Sequence, residues 1–379
     1  MVQARYSFGK WGVSVPIVLN LCTLAGFCVI DCVLGGQALS AVAANADFTS
    51  GNLSTTVGIV IIAVVALVLS FLGIKVLHQY ERYAWIPVFI SILVATGCGG
   101  DKLHLQTAAA PAEAATVLSF GALVAGFFLP WGTLASDFVV YHDPSLPSWK
   151  IAFYTFGGLA VPSIPLMILG AAIGGAVPQV ESWKAGYNAY SAGGILGAML
   201  EPSGRFGKFI LVLLALSLIG NIAGTMYALT LNFQLLLPVF RRVPRAFFAL
   251  VVTAVIIPVA IKAVTSFFDA LENFIGIIGY WASCYVVILV LEHTWFRRQD
   301  WTSYDPAIYN DARQLPTGIA ALGAGACAFG LIIPCMSQIP YTGPIAETTG
   351  DIGFEVGWCL TGLLYVPFRT LEIKLRGRL

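Results

Sequence analysis

Asp31 stands inside an apolar run, Phe27-Cys28-Val29-Ile30-Asp31. A carboxylate in hydrocarbon costs a few kcal/mol, so it faces a cavity or a partner. Phe27 and Asp31 are four residues apart and share one helix face. A ring and a carboxylate on one face can stack on a flat ligand and accept its N–H or O–H donors. The rival reading pairs Asp31 with a neighbouring helix or leaves it protonated. A second apolar stretch carries Gly126-Phe127-Phe128-Leu129-Pro130-Trp131-Gly132. Proline removes a backbone donor and the flanking glycines loosen the helix, which predicts a break in mid-span. Unwound helices at that depth are places where solutes and ions bind, and Trp131 would offer an indole face there. A plain proline kink, with Trp131 as packing, accounts for the same residues. A third stretch, Gly220-Asn221-Ile222-Ala223-Gly224-Thr225, sets an amide and a hydroxyl four residues apart. Packing through small residues explains Gly220 and Gly224. An unpaired amide in hydrocarbon is costly, so Asn221 needs a partner.

Other polar groups lie nearer the span ends. Asp137 and His142 follow the expected break toward the cytoplasmic end, where they would form a gate or proton relay, or be solvated. Asp269 and Glu272 open the eighth span, Glu292 and His293 close it, and all four read as solvated helix ends. The eight cysteines lie mostly in apolar stretches without a CxxC pair and read as small buried hydrophobes. No GK[ST] phosphate loop, HExxH or GxSxG is present. The residues therefore point to no enzyme, no cofactor and no metal.

The elements that must hold these groups are membrane helices. Charged residues make up 10% of the 379 and AVILMFWYC 58%, against about 25% charge in an ordinary soluble domain. So few charges cannot cover a water-facing surface of that size, and the lipid bilayer is the natural solvent. The net charge is +1 and no basic run exceeds two residues, which gives no footprint for nucleic acid. Spans are expected at about 13–43, 55–74, 84–99, 115–140, 151–177, 208–238, 246–265, 268–292, 316–335 and 353–369. With ten spans, only Lys102, Lys184, Arg205, Lys208 and Lys262 of the 20 Lys and Arg fall opposite the terminal side. That asymmetry places both termini in the cytoplasm. No small-residue cleavage site follows Arg5 and Lys10, so the first span is expected to remain. Asn52-Leu53-Ser54 is a sequon in the first outside loop. The Gly-, Ser- and Tyr-rich stretch of about 178–207 reads as a long outside loop, either a lid or a tolerated insertion.

Several phrases in the chain resemble the fungal purine-cytosine permeases of the nucleobase-cation-symport-1 family. They are Ala4-Arg5-Tyr6-Ser7-Phe8-Gly9, Leu34-Gly35-Gly36-Gln37, Tyr80-Glu81-Arg82-Tyr83 with Trp85-Ile86-Pro87, Ser136-Asp137-Phe138 before Tyr141, Leu271-Glu272-Asn273-Phe274 with Ile278-Gly279-Tyr280-Trp281, Glu292-His293, Leu315-Pro316 with Gly318, and Gly343-Pro344-Ile345-Ala346. The resemblance implies an all-α integral membrane protein with the inverted-repeat, leucine-transporter-type fold of twelve helices, the first and sixth broken. Residues 1–379 then form one transporter domain corresponding to helices three to twelve, without counterparts of the first two. The Pro130-Trp131 break falls on the sixth.

The resemblance further implies substrate contacts at Phe27, Asp31, Trp131, Asn221 and Thr225. Family members have Trp and an Asn or Gln where this chain has Phe27 and Asp31. Where the permeases show Asn-Asn-x-Pro-Asn, the chain reads Asn221, Ile222, Ala223, Gly224, Thr225 and keeps the first position. A base is read through matched donors and acceptors, so such changes alter selectivity; Asp31 favours donor-rich or cationic ligands. Sodium-dependent relatives use neighbouring hydroxyls ahead of the Asn, whereas Val212-Leu213-Leu214-Ala215-Leu216-Ser217 has one. Proton coupling is therefore expected, with Asp31, Asp137 or a residue of the helices without counterparts here as the carrier. The implied activity is proton-coupled symport of purine bases and/or cytosine by alternating access, at the plasma membrane. A permease for a related heterocycle such as pyridoxine, or a truncated paralogue that does not transport, are the alternatives. A membrane-embedded enzyme lacks a recognisable nucleophile and base.

Overall fold

The structure is a computed structural model that describes residues 1–44, 52–108, 111–143 and 145–378. Helices dominate because a chain this apolar must satisfy its backbone groups internally. A short α1 (Arg5–Phe8) leads into α2 (Ser14–Ala43), α3 (Thr55–Phe71) and α4 (Ile74–Gly99). Next come the broken pair α5 (Ala114–Phe128) and α6 (Trp131–Val139), then α7 (Ser148–Ala176), α8 (Glu181–Leu200) and α9 (Gly204–Leu236). The chain continues through α10 (Arg245–Ala263), α11 (Phe267–Leu291) and α12 (Ile319–Cys335). A two-stranded hairpin of β1 (Ser337–Gln338) and β2 (Tyr341–Thr342) follows, then α13 (Ala346–Thr349) and α14 (Gly353–Arg376). Six stretches of the described residues are long and apolar enough to cross a membrane, and α3 and α12 are shorter apolar helices.

Each of the ten apolar segments marked in the sequence falls on a helix, the fourth on the α5–α6 pair. The third and the last begin or end differently from expectation. α4 starts at Ile74, ahead of its apolar run, and so carries His78 and Glu81 on a helix. α14 runs on to Arg376 and carries Arg369 and Glu372.

α2 is the central post. It packs against α3, α8, α9 and α10, while α11, α12 and α14 form a second group and α5 leans on α11. A Cβ at Gly58 would lie 2.7 Å from the Gly36 carbonyl oxygen, so α2 and α3 meet backbone to backbone, which glycine alone permits. α7 buries none of its apolar window and stands at the periphery.

Two expectations change. The stretch read as a loop, 178–207, is largely helical: α8 bends at Tyr190 and Ser191, the latter at φ 52°, and lies against α2. Its small residues are what allow this, since a Cβ at Gly193 would sit 2.3 Å from the Gln37 carbonyl carbon. Glu292 is not a solvated helix end. It is 1% exposed, on a π-helical turn after α11, and is held by Arg297 at 3.1 Å and Arg369 at 3.0 Å.

Candidate functional site

The site begins at the break. Pro130 has no N–H, so the Gly126 carbonyl loses its usual helical donor. The chain turns tightly instead: the Gly132 and Thr133 amides donate to the Leu129 and Pro130 carbonyls, each at 2.9 Å. The turn ends one helix and starts another, whose first residue is Trp131. On the far side, Gly126 brings α5 onto α11, where a Cβ would meet the Ile275 carbonyl oxygen at 2.4 Å.

Trp131 faces a cavity of about 720 Å³ between α4, α6, α7 and α9. Asn221 and Thr225 line the same cavity from α9, one turn apart. α4 supplies His78 and Glu81, α6 adds Phe138, the turn after it Tyr141 and His142, and α7 adds Tyr154 and Thr155. Asp31 reaches this group through Asn221, whose Nδ2 donates to Asp31 Oδ2 at 2.6 Å. The carboxylate is thus paired with a neighbouring helix, and the amide, exposed to the cavity, is held by that carboxylate.

Phe27 is placed differently from the others. Its ring packs edge to face on Phe274 at 5.5 Å and Phe127 at 6.1 Å, and it is not among the residues lining the cavity. Asp137 is likewise outside that lining and instead borders a smaller pocket with Asn232 and Arg241.

Glu81 was missed as a site residue by sequence reasoning. The signal was present in the Tyr80-Glu81-Arg82-Tyr83 phrase and in the three-residue spacing to His78, but both precede the apolar run. Gly224 leaves Glu81 its room, since a Cβ there would lie 3.3 Å from Glu81 Oε1. Tyr141 also lines the cavity. Its hydroxyl is 2.5 Å from that of Tyr227 on α9, and the Arg245 guanidinium lies 5.1 Å over the Tyr227 ring. His78 meets the Tyr141 ring edge on at 5.7 Å.

An indole face, an amide, a hydroxyl and a carboxylate around one cavity are what a planar, polar solute needs: a surface to stack on and groups to pair its edge.

Comparison with known proteins places the chain in a family. Residues 1–357 match a family model described as permease for cytosine/purines, uracil, thiamine, allantoin. A purine-cytosine permease of Emericella nidulans is 35% identical over 384 residues, covering 100% of this chain and 74% of that protein. A purine-cytosine permease of Saccharomyces cerevisiae is 32% identical, covering 100% and 72%. A vitamin B6 transporter of the same yeast is 26% identical, covering 100% and 74%. The fold is that of Mhp1, a nucleobase-cation-symport-1 family transporter solved in a closed conformation with bromovinylhydantoin bound. The two superpose with a TM-score of 0.71 at 16% identity, over 99% of this chain and 79% of that one. The chain is therefore a multi-pass, all-helical integral membrane protein of the leucine-transporter-type fold, and it belongs to the purine-cytosine permease family of nucleobase-cation-symport-1 transporters, not to an enzyme family.

Proposed function

We propose that the chain imports purine bases and/or cytosine together with protons, by alternating access around the cavity that Trp131, Asn221 and Thr225 share. In this reading residues 1–379 correspond to family helices three to twelve, and both termini face the cytoplasm at the plasma membrane. The observation that carries the proposal is the convergence on one cavity of the indole at the helix break and the amide and hydroxyl of α9. Trp131 stacks on the base, and Asn221, oriented by Asp31, pairs with its edge together with Thr225. Phe27, packed on Phe127 and Phe274 outside the cavity lining, would have to turn toward Trp131 to sandwich the ring with it. Glu81 gives the wall a carboxylate, suited to exocyclic amino and ring N–H donors.

The departures at Asp31, Gly224 and Thr225 favour a second reading, a permease for a related heterocycle such as pyridoxine, because the paired edge differs from the family pattern. Competition for uptake by cytosine, adenine, hypoxanthine and pyridoxine separates the two. The site model itself is tested with Asp31→Ala and Asn221→Ala, each expected to raise the half-saturating concentration by about tenfold or more, the loss of one charge-assisted hydrogen bond. Unchanged uptake and affinity in both variants would refute it.

A further inference from the structure

Asn20, Phe27 and Asp31 lie on one stripe of α2, since separations of 7 and 11 residues are close to two and three turns. Phe27 touches α5 and α11, and Asp31 touches α9. Asn20 touches the break itself. The Thr133 hydroxyl is 2.7 Å from Asn20 Oδ1 and 2.7 Å from the Pro130 carbonyl, sharing its one proton between them. Asn20 is fully buried, and its Nδ2 has no hydrogen-bond partner. One turn further on, Thr23 accepts the indole N–H of Trp281 on α11 at 3.2 Å.

A half-satisfied amide is a poor way to pack two helices, because a buried donor without a partner is costly and an apolar side chain would fill the space at less expense. What the amide supplies is direction. Thr133 is two residues beyond Trp131 in the same short helix, so the Asn20 oxygen fixes both the height and the rotation of the turn that carries the indole. Pro130 leaves that turn without a full set of helical hydrogen bonds, so a contact from outside the helix has to define it.

We propose that Asn20 and Thr133 are positioning residues for Trp131: their pairing ties the start of α6 to α2 and sets where the indole stands on the cavity wall. The proposal rests on the reading of Trp131 as the stacking wall for the transported base. Loss of the pairing lets the indole shift against the ligand, so affinity falls while the number of working copies stays the same.

The test measures cytosine and adenine uptake by a surface-tagged chain carrying Thr133→Val, Thr133→Ser or Asn20→Leu, each with Trp131 and with Trp131→Phe. Thr133→Val and Asn20→Leu are expected to raise the half-saturating concentration about tenfold, with the maximal rate per surface copy held within about twofold. Thr133→Ser, which keeps the hydroxyl, restores the wild-type value. With Trp131→Phe already present, Thr133→Val adds less than about twofold, because it has no indole left to position. An equal effect in both backgrounds overturns the proposal and leaves the stacking role of Trp131 intact. Unchanged affinity in Trp131→Phe alone overturns the stacking role, and the positioning proposal with it. A readout independent of transport is the thiol-labelling rate of Trp131→Cys in a background whose eight native cysteines are replaced. Thr133→Val changes that rate severalfold and Thr133→Ser does not; equal rates in all three overturn the proposal.

Discussion

Glu292 sits at the junction of α11 and α14 as the shared acceptor of a buried cluster. Its two oxygens take Arg369 in a two-pronged contact at 3.0 Å each, Arg297 at 3.1 Å and the Tyr365 hydroxyl at 2.7 Å. Arg369 is 1% exposed and also meets Glu372 at 3.0 Å; Arg297 keeps the Ser303 carbonyl at 2.6 Å and stacks 4.3 Å over Tyr304. Glu292→Met removes the acceptor and strands a fully buried guanidinium with one remaining carboxylate. Breaking a buried pair from one side costs about 3–5 kcal/mol, mostly the penalty of the charge left behind. In a chain of this size that lowers the melting temperature by roughly 5 °C or more. Arg369→Met is expected to cost a similar amount. Glu292→Met with Arg369→Met removes both of these charges, leaving Arg297 and Glu372 each one partner short, and should cost clearly less than the sum of the single changes, a coupling of at least about 2 kcal/mol. The assay is thermal unfolding of the detergent-solubilised protein, followed by loss of the monodisperse peak. Simple addition of the two single shifts would refute the reasoning, because it would mean that neither charge depends on the other.

The Tyr141–Tyr227 contact and the seating of α8 make further predictions. Removing either hydroxyl of the Tyr141–Tyr227 pair should cost about 1 kcal/mol of stability, and removing both should cost no more than one, as melting of Tyr141→Phe, Tyr227→Phe and the double variant would show. Gly193→Val drives a side chain into the Gln37–Ala38 backbone and should lower the amount of folded protein at the surface severalfold, whereas Gly174→Ala, which meets nothing, should not.

Much of the fold is legible in the sequence because a bilayer imposes a single strong rule, about 20 apolar residues per crossing. The break at Pro130 is legible too, since proline and two glycines act locally. The missing parts depend on tertiary contacts. α8 looks like a loop because its glycines and serines have low helix propensity, and only packing on α2 makes them useful. Glu292 looks solvated because it follows an apolar run, while its partner Arg369 is 77 residues away. His78 and Glu81 were overlooked because hydropathy finds the lipid-facing part of α4, and a cavity wall is made of the residues that hydropathy discards. The pairing of Asp31 with Asn221 follows from the cost of a lone carboxylate, but which helix would supply the partner could not be read from spacing.

The most direct measurement is uptake of radiolabelled cytosine and adenine, at two external pH values, in cells lacking their own permeases and expressing the surface-tagged chain. Proton-coupled nucleobase import predicts saturable uptake that rises at acid pH. Normal surface expression with no uptake of either base, or uptake that ignores pH and follows sodium, would contradict it.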